Sequence, residues 1–206
     1  CAAERGRDLV SLGVDTWGVD VGLIGRSGQL LGLPYAYRDA SHAVAFDKVI
    51  EQLGREKIYD RTGIQFMALN TLYQLVARRD SEPVLLDAAK RMLFTPDLLH
   101  YFFSGEQVNE ATIASTSQMV DPRTGQWATD LLDELGLPTG MLGEIVPAGT
   151  VIGKVTQQVA EALQVPRIDV ITPGAHDTAS AVAAVPVDTA QHGDRWAFLS
   201  SGTWSL

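Results

Sequence analysis

Cysteine is nearly absent: the 206 residues contain one, Cys1. A single thiol cannot close a disulfide within the chain, nor can it build a multi-cysteine metal cage. Basic residues are also scarce, 16 Lys and Arg against 25 Asp and Glu, for a formal net charge of −9. Nucleic acid and membrane surfaces are gripped by clustered Lys and Arg, so neither is expected as a partner. No run approaches the roughly 18 consecutive apolar residues of a spanning helix, and the first residues lack the basic, apolar and small-residue order of a secretion signal. His42, His100 and His192 have no Cys or His at ligand spacing, so no metal role is expected of them. These absences predict a cytoplasmic protein that holds anionic ligands with backbone amides or isolated basic residues.

What is present is an ordinary globular composition, 46% hydrophobic and 20% charged. That is enough for one large domain or two small ones. The chain begins at Cys1 without an initiator Met and stops just after an expected strand enters a turn, which reads as an internal piece of a longer protein.

Residues 9–14 and 19–24 are apolar and β-branched, and Gly25-Arg26-Ser27-Gly28 is a tight turn leading to Gln29-Leu30-Leu31. The pattern predicts an antiparallel meander. Helical spacing follows: Phe46, Val49, Ile50 and Leu53 end at Gly54, and Leu69, Leu72, Tyr73 and Val76 repeat the period. Thr95-Pro96-Asp97 is a helix start with Thr95 as cap, running through Leu98, Leu99, Phe102 and Phe103 to Ser104-Gly105. Leu131, Leu132 and Leu135 mark another helix, and Thr156 caps one through Val159, Ala160 and Leu163. Residues 167–172 form a strand stopped by Pro173-Gly174, and residues 178–185 suit a small-residue helix. The fold class is therefore α/β.

The most informative segment is Gly174-Ala175-His176-Asp177-Thr178-Ala179-Ser180-Ala181. It sets an acid at or near the N-cap of a helix directly after a strand, where Asp177 can serve as a general base; a plain helix cap is the competing reading. In Asp15-Thr16-Trp17-Gly18-Val19-Asp20, the two acids suit sugar hydroxyls or a metal, and Trp17 suits a sugar face, against a polar turn with a packed Trp. Tyr35-Ala36-Tyr37-Arg38-Asp39 reads as an extended segment before a cap at Asp39 or Ser41. Gln65 and Asn70 suit hydroxyl recognition, with a capping role for Asn70 left open. The hydroxyl-rich run 109–118 reads as a packed connector rather than a site. At the far end, Ser200-Ser201-Gly202-Thr203 can present amides and a hydroxyl to phosphate oxygens, though any hairpin can contain such a turn.

Taken in order, residues 13–20, Tyr37-Arg38-Asp39, Thr62-Gly63-Ile64-Gln65-Phe66, residues 70–75, Pro96-Asp97-Leu98, residues 174–181 and residues 200–206 resemble the FGGY family of carbohydrate kinases. The resemblance implies an actin-like ATPase (ribonuclease H-like) fold of two α/β domains flanking a cleft. Residues 1–185 would be the first domain, incomplete at its start, and residues 186–206 the opening of the second. It implies phosphorylation of the ketose L-rhamnulose at O1 by ATP with Mg2+, and Asp177 as catalytic base. Gly18, His176, Thr178 and Asn70 would contact sugar, and Gly202 and Thr203 the nucleotide. The family's first phosphate loop and its adenine site have no counterpart in these residues, so the piece alone is expected to be inactive. Alternatives are a kinase of the same fold for a pentulose or fuculose, a non-catalytic sugar-binding relative, and an Asp-dependent hydrolase using Asp15 or Asp20 as second acid.

Overall fold

A computed structural model describes residues 8–202. Strand β1 (Ser11–Leu12) lies far down the sequence from its partner, β9 (Asp169–Ile171), to which it runs parallel with Ser11 opposite Asp169. On its other edge β9 pairs antiparallel with β8 (Val151–Lys154), giving the order β1-β9-β8. The apolar faces of this sheet close on helix α8 (Gln157–Leu163) through Val155, Ala160, Ile168 and Val170. Thr156 caps α8 as its sequence predicts, its side chain accepting from Val159 N.

The expected meander is not formed. β2 (Val21–Ile24) pairs antiparallel with β3 (Arg91–Phe94), not with β1, and only a single bridge from Ile24 to Leu30 survives of the hairpin. Local periodicity identifies a strand but carries no information about a partner on the far side of a helical segment. All four β2 residues are buried, so they need a covered partner rather than a surface hairpin.

Helix α1 (Ser41–Leu53) follows the 35–39 segment, whose Asp39 accepts from Ser41 N as a local turn. Gly54 ends it at φ 77 and opens α2 (Arg55–Thr62). Helix α3 (Thr71–Ser81) is the centre of the main core: every residue from Thr71 to Arg78 is buried. A helix buried on all faces must satisfy its polar side chains internally. Thr71 Oγ1 donates to Val19 O at 2.7 Å, Gln74 Nε2 to Leu69 O at 2.9 Å, and Arg78 Nη2 to Leu33 O at 2.7 Å. Around it pack Val49 of α1, Leu23 of β2 and Phe94 of β3, with Tyr73 edge-on to Phe46 at 4.8 Å. Each large apolar side chain fully buried here contributes roughly 1.5–3 kcal/mol.

Helix α4 (Pro83–Ala88) leads into β3, and α5 (Thr95–Ser104) begins directly at its end. The N-cap of α5 is Phe94 rather than Thr95, with Pro96 in the first turn and Gly105 closing the helix at φ 83. β4 (Asn109–Glu110) pairs with β7 (Ile145–Val146), and between them lie α6 (Ala111–Ser115), the hairpin β5 (Val120–Asp121) with β6 (Gln126–Trp127), and α7 (Thr129–Glu134). After β9 come α9 (Asp177–Ala183) and α10 (Thr189–His192). The strand expected to lead into the Ser201-Gly202 turn is not formed, and residues 195–200 are irregular.

Candidate active site

The β1–β9 pairing continues beyond the strands as a single parallel bridge, Thr16 to His176. Thr16 N donates to Ala175 O and Asp177 N to Thr16 O, both at 2.9 Å. The loop holding Trp17 and Gly18 and the start of α9 are thereby stitched together at the C-terminal ends of parallel strands, where α/β folds gather ligands. His176 is the N-cap of α9 and Asp177 its first residue. Asp177 Oδ1 accepts from Thr178 N at 2.6 Å, and its side chain remains 57% exposed.

Asp177 lines a cavity of about 980 Å3. His176, Thr178, Trp17 and Gly18 line it too, and so do Asn70, Ser200 and Gly202. The residues that the resemblance sets against sugar are thus brought to one space, together with the described part of the predicted nucleotide turn. Thr203 lies outside the described residues. Gly202 is exposed, and a Cβ there would have none of the described residues within 4 Å. His176 Nε2 stands 3.4 Å from Asp177 Oδ1. Burial lowers the His176 pKa, while the carboxylates of Asp177 and Glu110 oppose the shift.

The Trp17 wall is built from behind. Trp17 Nε1 donates to Asp20 Oδ2 at 2.9 Å, and Gln74 Nε2 donates to Asp20 Oδ1 at 3.2 Å. Asp20 is buried, which raises its pKa against those hydrogen bonds. Its expected role as a direct ligand for hydroxyls or metal does not fit, since it is buried and is not among the cavity residues. Asp15 is exposed and is not among the cavity residues. Neither Asp15 nor Asp20 therefore lines the cavity beside Asp177 in the way a hydrolase pair requires.

Val19 follows with φ 70, a conformation a β-branched residue adopts only when its surroundings impose it. Here they do: Val19 N donates to Thr116 Oγ1 at 3.1 Å, and Val19 O accepts from Thr71 and Gln74. At Gly18 a Cβ would lie 3.0 Å from Thr116 Oγ1 and Cγ2, so a side chain there is admitted only if Thr116 gives way.

On the opposite side, Asn70 Nδ2 donates to Gln65 O at 3.1 Å and to Gln118 Oε1 at 3.2 Å. Both amide hydrogens are committed, so contact with a ligand falls to Oδ1 alone, and the side chain makes no cap to α3. Gln118 is locked in turn by Tyr73 OH at 2.6 Å and by its own Nε2 donating to Ile64 O at 3.1 Å. Burial pushes the Tyr73 phenol up, which keeps it a donor.

The run 109–118 is packed as expected of a connector, and it also borders the cavity, which the sequence did not suggest. Ser115 and Thr116 line the cavity, and Glu110 and Thr112 reach the Ala175–His176 backbone. The only signal for this was an acid two residues before a Thr and three before an apolar residue, a pattern too common to single out.

Comparison with known proteins fits this geometry. Residues 5–184 match the model of the FGGY family of carbohydrate kinases, N-terminal domain. The rhamnulokinase of Bacteroides thetaiotaomicron is 44% identical over 205 residues, covering 99% of this chain and 41% of that protein. That of Ligilactobacillus salivarius is 39% identical over 203 residues, covering 98% and 40%. The chain spans about two fifths of the length of these curated relatives. Among solved structures, the xylulose kinase of Rhodospirillum rubrum matches with a TM-score of 0.76 at 22% identity, over 84% of this chain and 36% of that one. The xylulose kinase of Bifidobacterium adolescentis matches at 0.76 with 16% identity, over 91% and 46%. The fold is the actin-like ATPase fold of the sugar kinases. The chain belongs to the FGGY family of carbohydrate kinases, and residues 5–184 match that family's N-terminal domain.

Proposed function

We propose that the whole protein of which these residues are a part phosphorylates L-rhamnulose at O1, with Asp177 as general base. One observation carries the reading: Asp177 stands half-exposed in the wall of a cavity large enough for a sugar, bounded by an aromatic face at Trp17 and a side-chain-free position at Gly18. The names of the relatives that span the chain support L-rhamnulose over other ketoses.

In this reading the sugar lies against Trp17 and the Gly18 backbone, with hydroxyls toward His176, Thr178 and Asn70 Oδ1. Asp177 takes the proton from O1 as that oxygen becomes the nucleophile. ATP, its phosphate charge shared with Mg2+, supplies the γ-phosphoryl group: the O1–P bond forms as the bond to the bridging oxygen breaks and ADP leaves. The rim at Ser200 and Gly202 fits a phosphate end, because it offers a hydroxyl and unobstructed backbone in the cavity that holds Asp177. Gly202 and Thr203 would touch the nucleotide there. Residues 186–206 would open a second domain, and the remaining ATP contacts would come from outside residues 8–202. A cytoplasmic location accords with ATP as phosphoryl donor and a phosphorylated sugar as product.

The test is a coupled ADP-release assay of the complete protein against a panel of ketoses. Preferred turnover of L-rhamnulose is expected, and Asp177→Asn should lower kcat by about 10²–10⁴-fold while sugar still binds. Preference for a pentulose or fuculose would replace the substrate, and unchanged turnover in Asp177→Asn would remove the base.

A further inference from the structure

We infer that Glu110 and Thr112 position the base: a buried carboxylate and a hydroxyl at the start of α6 hold the backbone N–H groups of the two residues that precede Asp177. The inference rests on Asp177 acting as proposed above.

Glu110 is fully buried, and no cation pairs with it among the described residues. A carboxylate is tolerated in such a place only if its lone pairs meet donors. Its Oε1 accepts from Thr112 N at 2.9 Å, and its Oε2 from Thr112 Oγ1 at 2.6 Å, Ile113 N at 3.1 Å and Ala175 N at 3.1 Å. Capping of α6 accounts for Thr112 N and Ile113 N. It does not account for Ala175, which belongs to the segment leading into α9. Thr112 Oγ1 has given its proton to Glu110, so its lone pairs are free to accept, and they take His176 N at 3.2 Å.

Three successive N–H groups before and at the base are therefore fixed by three different partners: Ala175 by Glu110, His176 by Thr112, and Asp177 by Thr16 O. The Asp177 side chain itself is half-exposed, and its polar contacts among the described residues are with its neighbours Thr178 and His176. What aims it is the backbone, and two of the three backbone anchors come from α6. The Trp17 and Gly18 wall has its own supports at Asp20 and Thr116. Loosening the α6 anchors should misplace the base more than the sugar, and the signature is a fall in kcat with little change in KM.

Removing Glu110 would strand four donors and risk the fold, so Thr112 is the better handle. Thr112→Val keeps the shape and deletes the hydroxyl; Thr112→Ser keeps the hydroxyl. In the complete protein, Thr112→Val should lower kcat about tenfold with sugar KM within about threefold, and Thr112→Ser should return most of the loss. Hydrogen exchange of the peptide spanning 172–180 gives a readout independent of catalysis: Thr112→Val should speed it about fivefold and Thr112→Ser should not. Unchanged exchange in Thr112→Val, or faster exchange with unchanged kcat, would overturn the inference. A wild-type protein that turns over no ketose would overturn the base assignment, while the exchange arm would still decide whether Thr112 holds the loop.

Discussion

The indole Nε1 of Trp17 donates to Asp20 Oδ2 across 2.9 Å, so a ring 49% exposed in the cavity wall is held at its polar edge by a buried carboxylate. Asp20 also accepts from Gln74 at its other oxygen, which ties the ring to the buried helix α3. An amide at this position could serve only one of the two donors, and alanine neither. Asp20→Ala should raise sugar KM roughly tenfold with kcat changed less than about threefold, because the sugar face moves and the base does not. Steady-state kinetics across sugar concentrations decides it; a fall confined to kcat would mean that Trp17 is not the platform.

Asn70 offers a second test of the cavity wall. Its amide donates to two acceptors, Gln65 O and Gln118 Oε1. Gln118 cannot turn its amide over, since Oε1 also receives Tyr73 OH and Nε2 serves Ile64 O. Asn70→Asp would set an oxygen against both acceptors in a buried place and should cost about 1–3 kcal/mol. A thermal melt of the complete protein reads this as a lowered transition. No change would mean that the Gln118 network rearranges freely.

Legibility in the sequence followed the range of the forces involved. The cap at Thr156 and the stops at Gly54 and Gly105 are local, and they stand where the residues predict. So does α3, whose apolar period survives although its polar residues are buried as well. The partner of β1 is not legible, because nothing around Ser11 encodes a strand at Asp169. Of the candidate site, the place of Asp177 at the head of a helix was readable from its neighbours, and Gly18 entered only through the ordered resemblance. Glu110 was not, since its work is a hydrogen bond to Ala175 across 65 positions. Asp20 was legible as important and misread in kind: burial turned an expected ligand into a support.

Gly18 and Thr116 should behave as a coupled pair. A methyl at Gly18 would press on Thr116 at 3.0 Å, a separation tight enough to force a shift, so Gly18→Ala should destabilise by about 1–3 kcal/mol and weaken sugar binding. Thr116→Ala makes room but leaves Val19 N without its acceptor in a buried loop, at a similar cost of about 1–3 kcal/mol. The double variant should lose less than the two singles together, with a coupling of about 0.5–3 kcal/mol. Additive losses in a double-mutant cycle would show that the added methyl escapes Thr116.

His100 makes the protein sensitive to acid. It is buried in α5 and its Nε2 accepts from Val14 N at 2.9 Å, which it can do only when that nitrogen carries no proton. Burial lowers its pKa from 6.5 to about 4. With the folded pKa below the unfolded one, the contribution to stability is complete above about pH 6.5 and is lost as pH falls toward 4, because the unfolded chain takes up the proton first. A gap of about 2.5 pH units amounts to about 3 kcal/mol. His100→Gln keeps an acceptor for Val14 N and has nothing to titrate, so its stability should vary less between pH 7 and pH 4, whatever its absolute level. Urea unfolding of the complete protein at a series of pH values reads that slope. An acid loss equally steep in His100→Gln would assign it to other groups. Since Val14 leads directly into the Asp15–Asp20 loop, sugar binding should weaken over the same pH interval in the wild type and not in the variant.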